Sequence, residues 1–140
     1  MSATVERTPA SAGTGPNAAL RWTAAATGVV VIIQAVMAGQ WLAGHASIIA
    51  LHGVLGNLAY IGAIAMVAIG FLAWRRGGGA ARLGLALLLV LMMTGQLGLG
   101  YIGRKQAWAA GMHIPLGVLI VALLVWILAL AWLRPQAERA

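Results

Sequence analysis

The sequence predicts an all-α integral membrane protein, an up-down-up-down bundle of four transmembrane helices built from two similar hairpins. Composition is the first reason: of 140 residues 62% are hydrophobic and only 8% charged, too little polar surface to cover a water-soluble domain. The second is length. Four apolar runs, approximately residues 22–42, 48–74, 83–101 and 109–133, match the roughly 20 helical residues that cross about 30 Å of hydrocarbon. The third is pattern, because no run alternates as a barrel strand does, and a backbone in lipid must close its hydrogen bonds within one helix.

The elements are ordered by charge and by punctuation. Arg7, Arg21, Arg75, Arg76, Arg82, Arg134 and Arg139 fall on one side of the four runs, and Arg104 and Lys105 on the other. The positive-inside rule then puts both termini in the cytoplasm of a multi-pass cell-membrane protein. Trp22, Trp74 and Trp132 mark inner ends, and Trp41, Tyr101 and Trp108 outer ends, where amphipathic rings favour the interface. Residues 1–17 are too rich in small polar residues to bury a core and are expected to be a disordered tail, with the bundle at 18–134 and a short tail at 135–140. The first apolar run begins too late, and is too long, for a cleaved signal peptide. The inner connection, residues 77–82, is expected to be flexible, and the outer connections are short, so adjacent spans pack antiparallel.

Several function classes drop out. The net charge of +7 comes from residues that flank apolar runs, not from a basic patch interleaved with aromatics, so nucleic acid is not the partner. The chain has no Cys, which removes disulfides, thiolate metal sites and cysteine nucleophiles. Chemistry is left to His, Met, Gln or a cofactor.

Two of the three histidines stand in a repeat. Gln34 precedes His52 by eighteen residues and Gln96 precedes His113 by seventeen; each histidine opens an HxxLG pattern that ends at Gly56 or Gly117. The glutamine register has one competitor, since Gly39-Gln40 with Gly44 also resembles Gly95-Gln96 with Gly100. The assigned spans put His52 and His113 at one depth, roughly 6 Å inside the outer ends of the second and fourth helices. Those helices are diagonal in the bundle, about 11–14 Å apart, a gap that suits two imidazoles and one metal. Gly56 and Gly117 lie one turn deeper on the same faces, where a missing side chain would admit a flat macrocycle. The constellation reads as a bis-His haem site with one haem b per chain, set against helix packing by small residues and internally bonded histidines.

The other polar residues have two readings each. His45, in the first outer connection, is either a solvated loop residue or a ligand at the mouth for metal or substrate. Met37, Met92, Met93 and Met112 are core filler or soft ligands. Gln34, Gln96, Asn57 and Thr94 either support the imidazoles or bond between helices. Pro115 either kinks the fourth helix below His113 or starts it. Arg104 and Lys105, the outer cations, are placed to meet haem propionates.

A Gln- and Gly-rich helix end, a short outer connection and a His-led helix, repeated twice, resembles haem A synthase, of which this chain looks like one four-helix half. Thr94-Gly95-Gln96-Leu97-Gly98-Leu99-Gly100-Tyr101 with Ala110-Gly111-Met112-His113-Ile114-Pro115-Leu116-Gly117 carries the strongest likeness, and Gln34 with His52 to Gly56 a weaker one. The resemblance implies a haem between His52 and His113. It does not extend to haem A synthesis: the glutamate that the family's hydroxylating half places three residues before its first histidine is Ile49 here, and the outer cysteine pair is absent. Small bis-His cytochromes of the b561 kind are similar at this level. The expected function is electron transfer or haem handling, and any enzymatic role would be that of a membrane oxidoreductase. The alternatives are a non-catalytic subunit or small transporter without haem, and a copper-handling protein using His45 and His52. A homodimer or a membrane redox partner is also expected, the dimer because the related family packs two such bundles side by side.

Overall fold

A computed structural model describes residues 16–133. The expected tails lie outside the described residues, apart from residues 16 and 17. Four helices follow in order: α1, Pro16–Leu42; α2, Ile48–Arg75; α3, Ala80–Gly103; and α4, Ala107–Leu133. Their 27, 28, 24 and 27 residues all exceed the length needed to cross a bilayer, and no strand occurs among the described residues. The protein is a multi-pass membrane four-helix bundle.

Two boundaries differ from expectation. Helix α1 begins at Pro16, six residues before the first apolar run, because proline's missing N–H is among those a first turn leaves unpaired anyway. Asn17 is thus in the helix, where its Oδ1 accepts from Arg82 at 2.6 Å. At the other connection, Ala80, Ala81 and Arg82 are helical and only residues 76–79 link α2 to α3. Alanine and arginine favour helix, so the break is confined to the glycines.

Glycine chemistry ends α1 and α2 in the same way. Gly44 (φ 99°) and Gly77 (φ 88°) take the left-handed conformation just past each helix. His45 N–H then donates to Gln40 O and Gly78 N–H to Ala73 O, with Gly44 and Gly77 donating to Trp41 O and Trp74 O. This pairing satisfies carbonyls that a helix end would otherwise leave open.

Each helix packs its backbone close to the two beside it, α1 on α2 and α4, α3 on α2 and α4, while the backbones of the diagonal pairs stay apart. The core is made of Met66, Leu89, Ile120 and Leu124 at full burial, spaced by Ala24, Ala59, Ala63 and Ala86. Leu91, Val118 and Ile61 point outward at 69%, 65% and 61% exposure, an apolar surface that only lipid tolerates. Lipid is as apolar as the core, so association rests on close packing and small residues. Gly62 and Gly70 serve this purpose: a Cβ on Gly62 would strike the Thr27 hydroxyl, and one on Gly70 would stand 3.3 Å from the Leu83 Cα. Gly84 and Gly98 are exposed on α3 with no neighbour within 4 Å. At the end carrying Pro16 and Leu133, Arg21 donates to Ala131 O at 2.6 Å and lies over the Trp132 ring, which meets Trp22 edge-on.

Gly62→Ala is therefore expected to destabilise the bundle by about 1–3 kcal/mol. Adding Thr27→Ala should recover most of the loss, because it removes the hydroxyl that the new methyl meets. Thermal unfolding in mild detergent measures the double-mutant cycle; strictly additive effects would place the conflict elsewhere.

Candidate functional site

His52 is the fifth residue of α2 and His113 the seventh of α4, both near the end of the bundle opposite Pro16 and Leu133. The tight connection after α1 folds α2 back along it, and the connection at 104–106 does the same for α3 and α4. Each histidine is so laid against the glutamine of the preceding helix. His52 Nδ1 lies 3.2 Å from Gln34 O, and His113 Nδ1 lies 2.9 Å from Gln96 O. A carbonyl only accepts, so Nδ1 carries the proton in both rings and the lone pair is on Nε2. Gln34 and Gln96 are thereby the repeated partners, and Gln40, the competing register, instead gives its carbonyl to His45.

The bundle brings the two imidazoles together from diagonal helices. Their centroids are 6.2 Å apart and their planes 63° apart, with both residues half-buried. Gly56 and Gly117 also act as a pair, but in a way the spacing did not reveal. A Cβ on Gly56 would stand 3.1 Å from Gln34 Nε2, and one on Gly117 would stand 3.1 Å from Gln96 Nε2. The space expected to admit a flat macrocycle holds a glutamine amide in each half.

The two amides then diverge. Gln34 Nε2 donates to the His52 carbonyl at 2.6 Å, whereas Gln96 Nε2 donates to His113 Nε2 at 3.3 Å. Gln96 Oε1 is left buried without a partner among the described residues.

Arg104 follows α3 and lies over the neighbour of His52: its terminal nitrogen is 3.3 Å from where a Gly53 Cβ would be, and its guanidinium sits 5.2 Å from the Tyr101 ring centroid. Lys105 is exposed beside it. Glu6 and Glu138 are the sequence's only acids, so residues 16–133 contain no carboxylate side chain for proton transfer or charge pairing.

His45 does not join the pair. Its Nδ1 lies 3.1 Å from Gln40 O, the same carbonyl its backbone N–H caps, and among the described residues no three His, Cys, Asp or Glu side chains form a metal-binding group. Asn57 bonds to Tyr101 OH, and Tyr60 OH donates to Thr94, whose hydroxyl donates to Val90 O; these bonds serve α2 and α3 rather than the imidazoles. Met93 is in the core, Met37 is buried, Met92 packs against the core and Met112 is exposed. Pro115 is internal to α4, which begins eight residues earlier, so it is not a helix-starting proline.

One contributor escaped sequence reasoning. A Cβ on Gly100 would stand 3.0 Å from His113 Cε1, so this glycine makes room for the ring. Its signal was the i, i+4 spacing from Gln96, which puts both on one face of α3.

Nitrogen-15 NMR of histidine-labelled protein, at a pH where the rings are neutral, should find a protonated Nδ1 and an unprotonated Nε2 at both His52 and His113. A protonated Nε2 at either would contradict the glutamine carbonyl contact. Compared with family models, curated proteins and solved structures, the chain matches none of them.

Proposed function

We propose that this protein is a b-type haem protein of the cell membrane, holding one haem per chain between His52 and His113 and serving electron transfer or haem handling. The observation that carries this reading is the spacing of the paired rings. Two imidazoles gripping one metal from opposite sides through bonds of about 2.0–2.1 Å would have centroids roughly 6.3 Å apart. The observed separation is 6.2 Å. Both rings have their ligating nitrogen unprotonated and their other nitrogen tied to a carbonyl, the arrangement that orients metal-bound histidines.

The donor set favours haem over a bare ion. Zinc and copper sites are usually completed by further protein ligands, and no third titratable ligand joins these two among the described residues. A haem would need only two ligands from the protein, and His52 and His113 would be the residues to hold it. When bound, such a group would supply one-electron exchange. Gly56 and Gly117 let the supporting glutamines approach, while Arg104 and Lys105 offer charge to the propionates. The likeness to half of a haem A synthase supports the same reading, and the missing carboxylate speaks against haem A formation here. The excess of arginines at the end carrying the termini supports a cytoplasmic position for both, and exposed Gly84 and Gly98 leave α3 open to a second copy or a redox partner.

A second reading has its own support. The Gln96 amide already satisfies His113 Nε2, as it would in a non-catalytic subunit whose histidines merely bond between helices.

The visible spectrum of purified protein separates the two readings. The haem reading expects a red protein with a sharp reduced spectrum of six-coordinate low-spin iron, lost in His52→Ala and in His113→Ala and kept in His45→Ala. Full haem content in both single mutants would overturn the ligand assignment.

Replacing Arg104 and Lys105 together by alanine should loosen haem without abolishing its binding, since charge-assisted bonds are worth about 1.5–3 kcal/mol. Unchanged haem retention and midpoint potential would show that the propionates face elsewhere.

A further inference from the structure

The two halves share the glutamine carbonyl, the Nδ1 bond and the glycine under the amide, yet their amides donate to different partners. Both Nε2 atoms stand 3.1 Å from the Cβ position of the glycine four residues after the histidine. From that common position Gln34 donates to its histidine's carbonyl and Gln96 to its histidine's ring. The direction of the second bond is fixed by chemistry: His113 Nδ1 already spends its proton on Gln96 O, so Nε2 can only accept. Nε2 is also the atom a metal would take. The arrangement leaves Gln96 Oε1 buried and unpaired, which makes it the more costly of the two placements.

We propose that Gln96 is a positioning residue that guards one ligand: its amide caps His113 Nε2 until iron takes that lone pair, and then turns to the His113 carbonyl, the position Gln34 already holds toward His52. This rests on the haem reading above. One hydrogen bond breaks as one coordinate bond forms, no proton moves, and the amide changes partner by side-chain rotation alone. His52, with no donor on its Nε2 among the described residues, is the histidine that would be free to take iron first, with His113 closing the site second. The two ligands are therefore unequal before any haem arrives.

The test is hemin uptake by full-length protein purified haem-free in mild detergent, followed by the conversion of five- to six-coordinate spectrum. Gln96→Leu should speed that conversion roughly two- to tenfold, the range set by losing one ordinary hydrogen bond, while Gln34→Leu should not speed it. Gln96→Asn, which keeps the amide but is one methylene too short to reach the ring, should behave like Gln96→Leu and guards against a leucine variant that folds poorly. In the haem-free wild type, nitrogen-15 NMR should show His113 Nε2 shifted from His52 Nε2 by the donated bond. Equal shifts there, or equal conversion rates in the Gln34 and Gln96 variants, would overturn the guard while leaving haem binding intact. A wild type that takes up no hemin would remove both proposals.

Discussion

A peptide or side-chain polar group inside hydrocarbon has no water to bond, so every donor and acceptor placed there must find a partner in the protein. The backbone solves this by forming four helices. The side chains are fewer and more telling: within 16–133 the chain carries no acid and few amides, and its two deep histidines are bonded to the carbonyls of two glutamines. Those bonds tie α1 to α2 and α3 to α4, fix the tautomer of each ring, and set the height at which the rings meet. The glycine four residues beyond each histidine serves the same need, because a Cβ there would crowd the glutamine amide at 3.1 Å.

Diagonal placement converts two such hairpins into one site. Because the backbones of α2 and α4 stay apart across the diagonal, their rings can meet in a shared interior, and alanines and Met66, Leu89, Ile120 and Leu124 fill the bundle elsewhere. The Schellman endings at Gly44 and Gly77 keep two connections short enough to hold the helices in register. His45 belongs to this group: it is a capping residue whose ring and backbone share one carbonyl. Arg104 stands apart, because residues 16–133 contain no acid and its guanidinium lies over the Tyr101 ring instead.

Departure from symmetry is as informative as the repeat. Gly100 packs against the His113 ring, whereas the position four residues after Gln34 is Ala38, so the two rings do not rest on the same surface. The Gln96 amide reaches Nε2 and strands its own oxygen, while Gln34 does neither. The two histidines are therefore held by matching carbonyl bonds but differ in what surrounds their rings.

The sequence by itself determined the class, the number of spans and the repeat that singles out His52 and His113, since these follow from apolar length and a repeated interval, whereas the choice of Gln34 over Gln40 as the partner of His52 came from the packed helices. It misplaced the start of α1 and the start of α3, where a proline tolerated in the first turn and the helix-favouring Ala80 and Ala81 let helix run beyond the apolar stretch. Only the tertiary structure decided what fills the notch at Gly56 and Gly117, that Gly62 and Gly70 pack within the chain while Gly84 and Gly98 face outward, and that one glutamine amide reaches a ring nitrogen while the other reaches a carbonyl. The reason is physical: spacing along a helix fixes which face a residue is on, but which atom across the interface receives its hydrogen bond depends on rotamers and distances of a few tenths of an ångström, set only when neighbouring helices are packed.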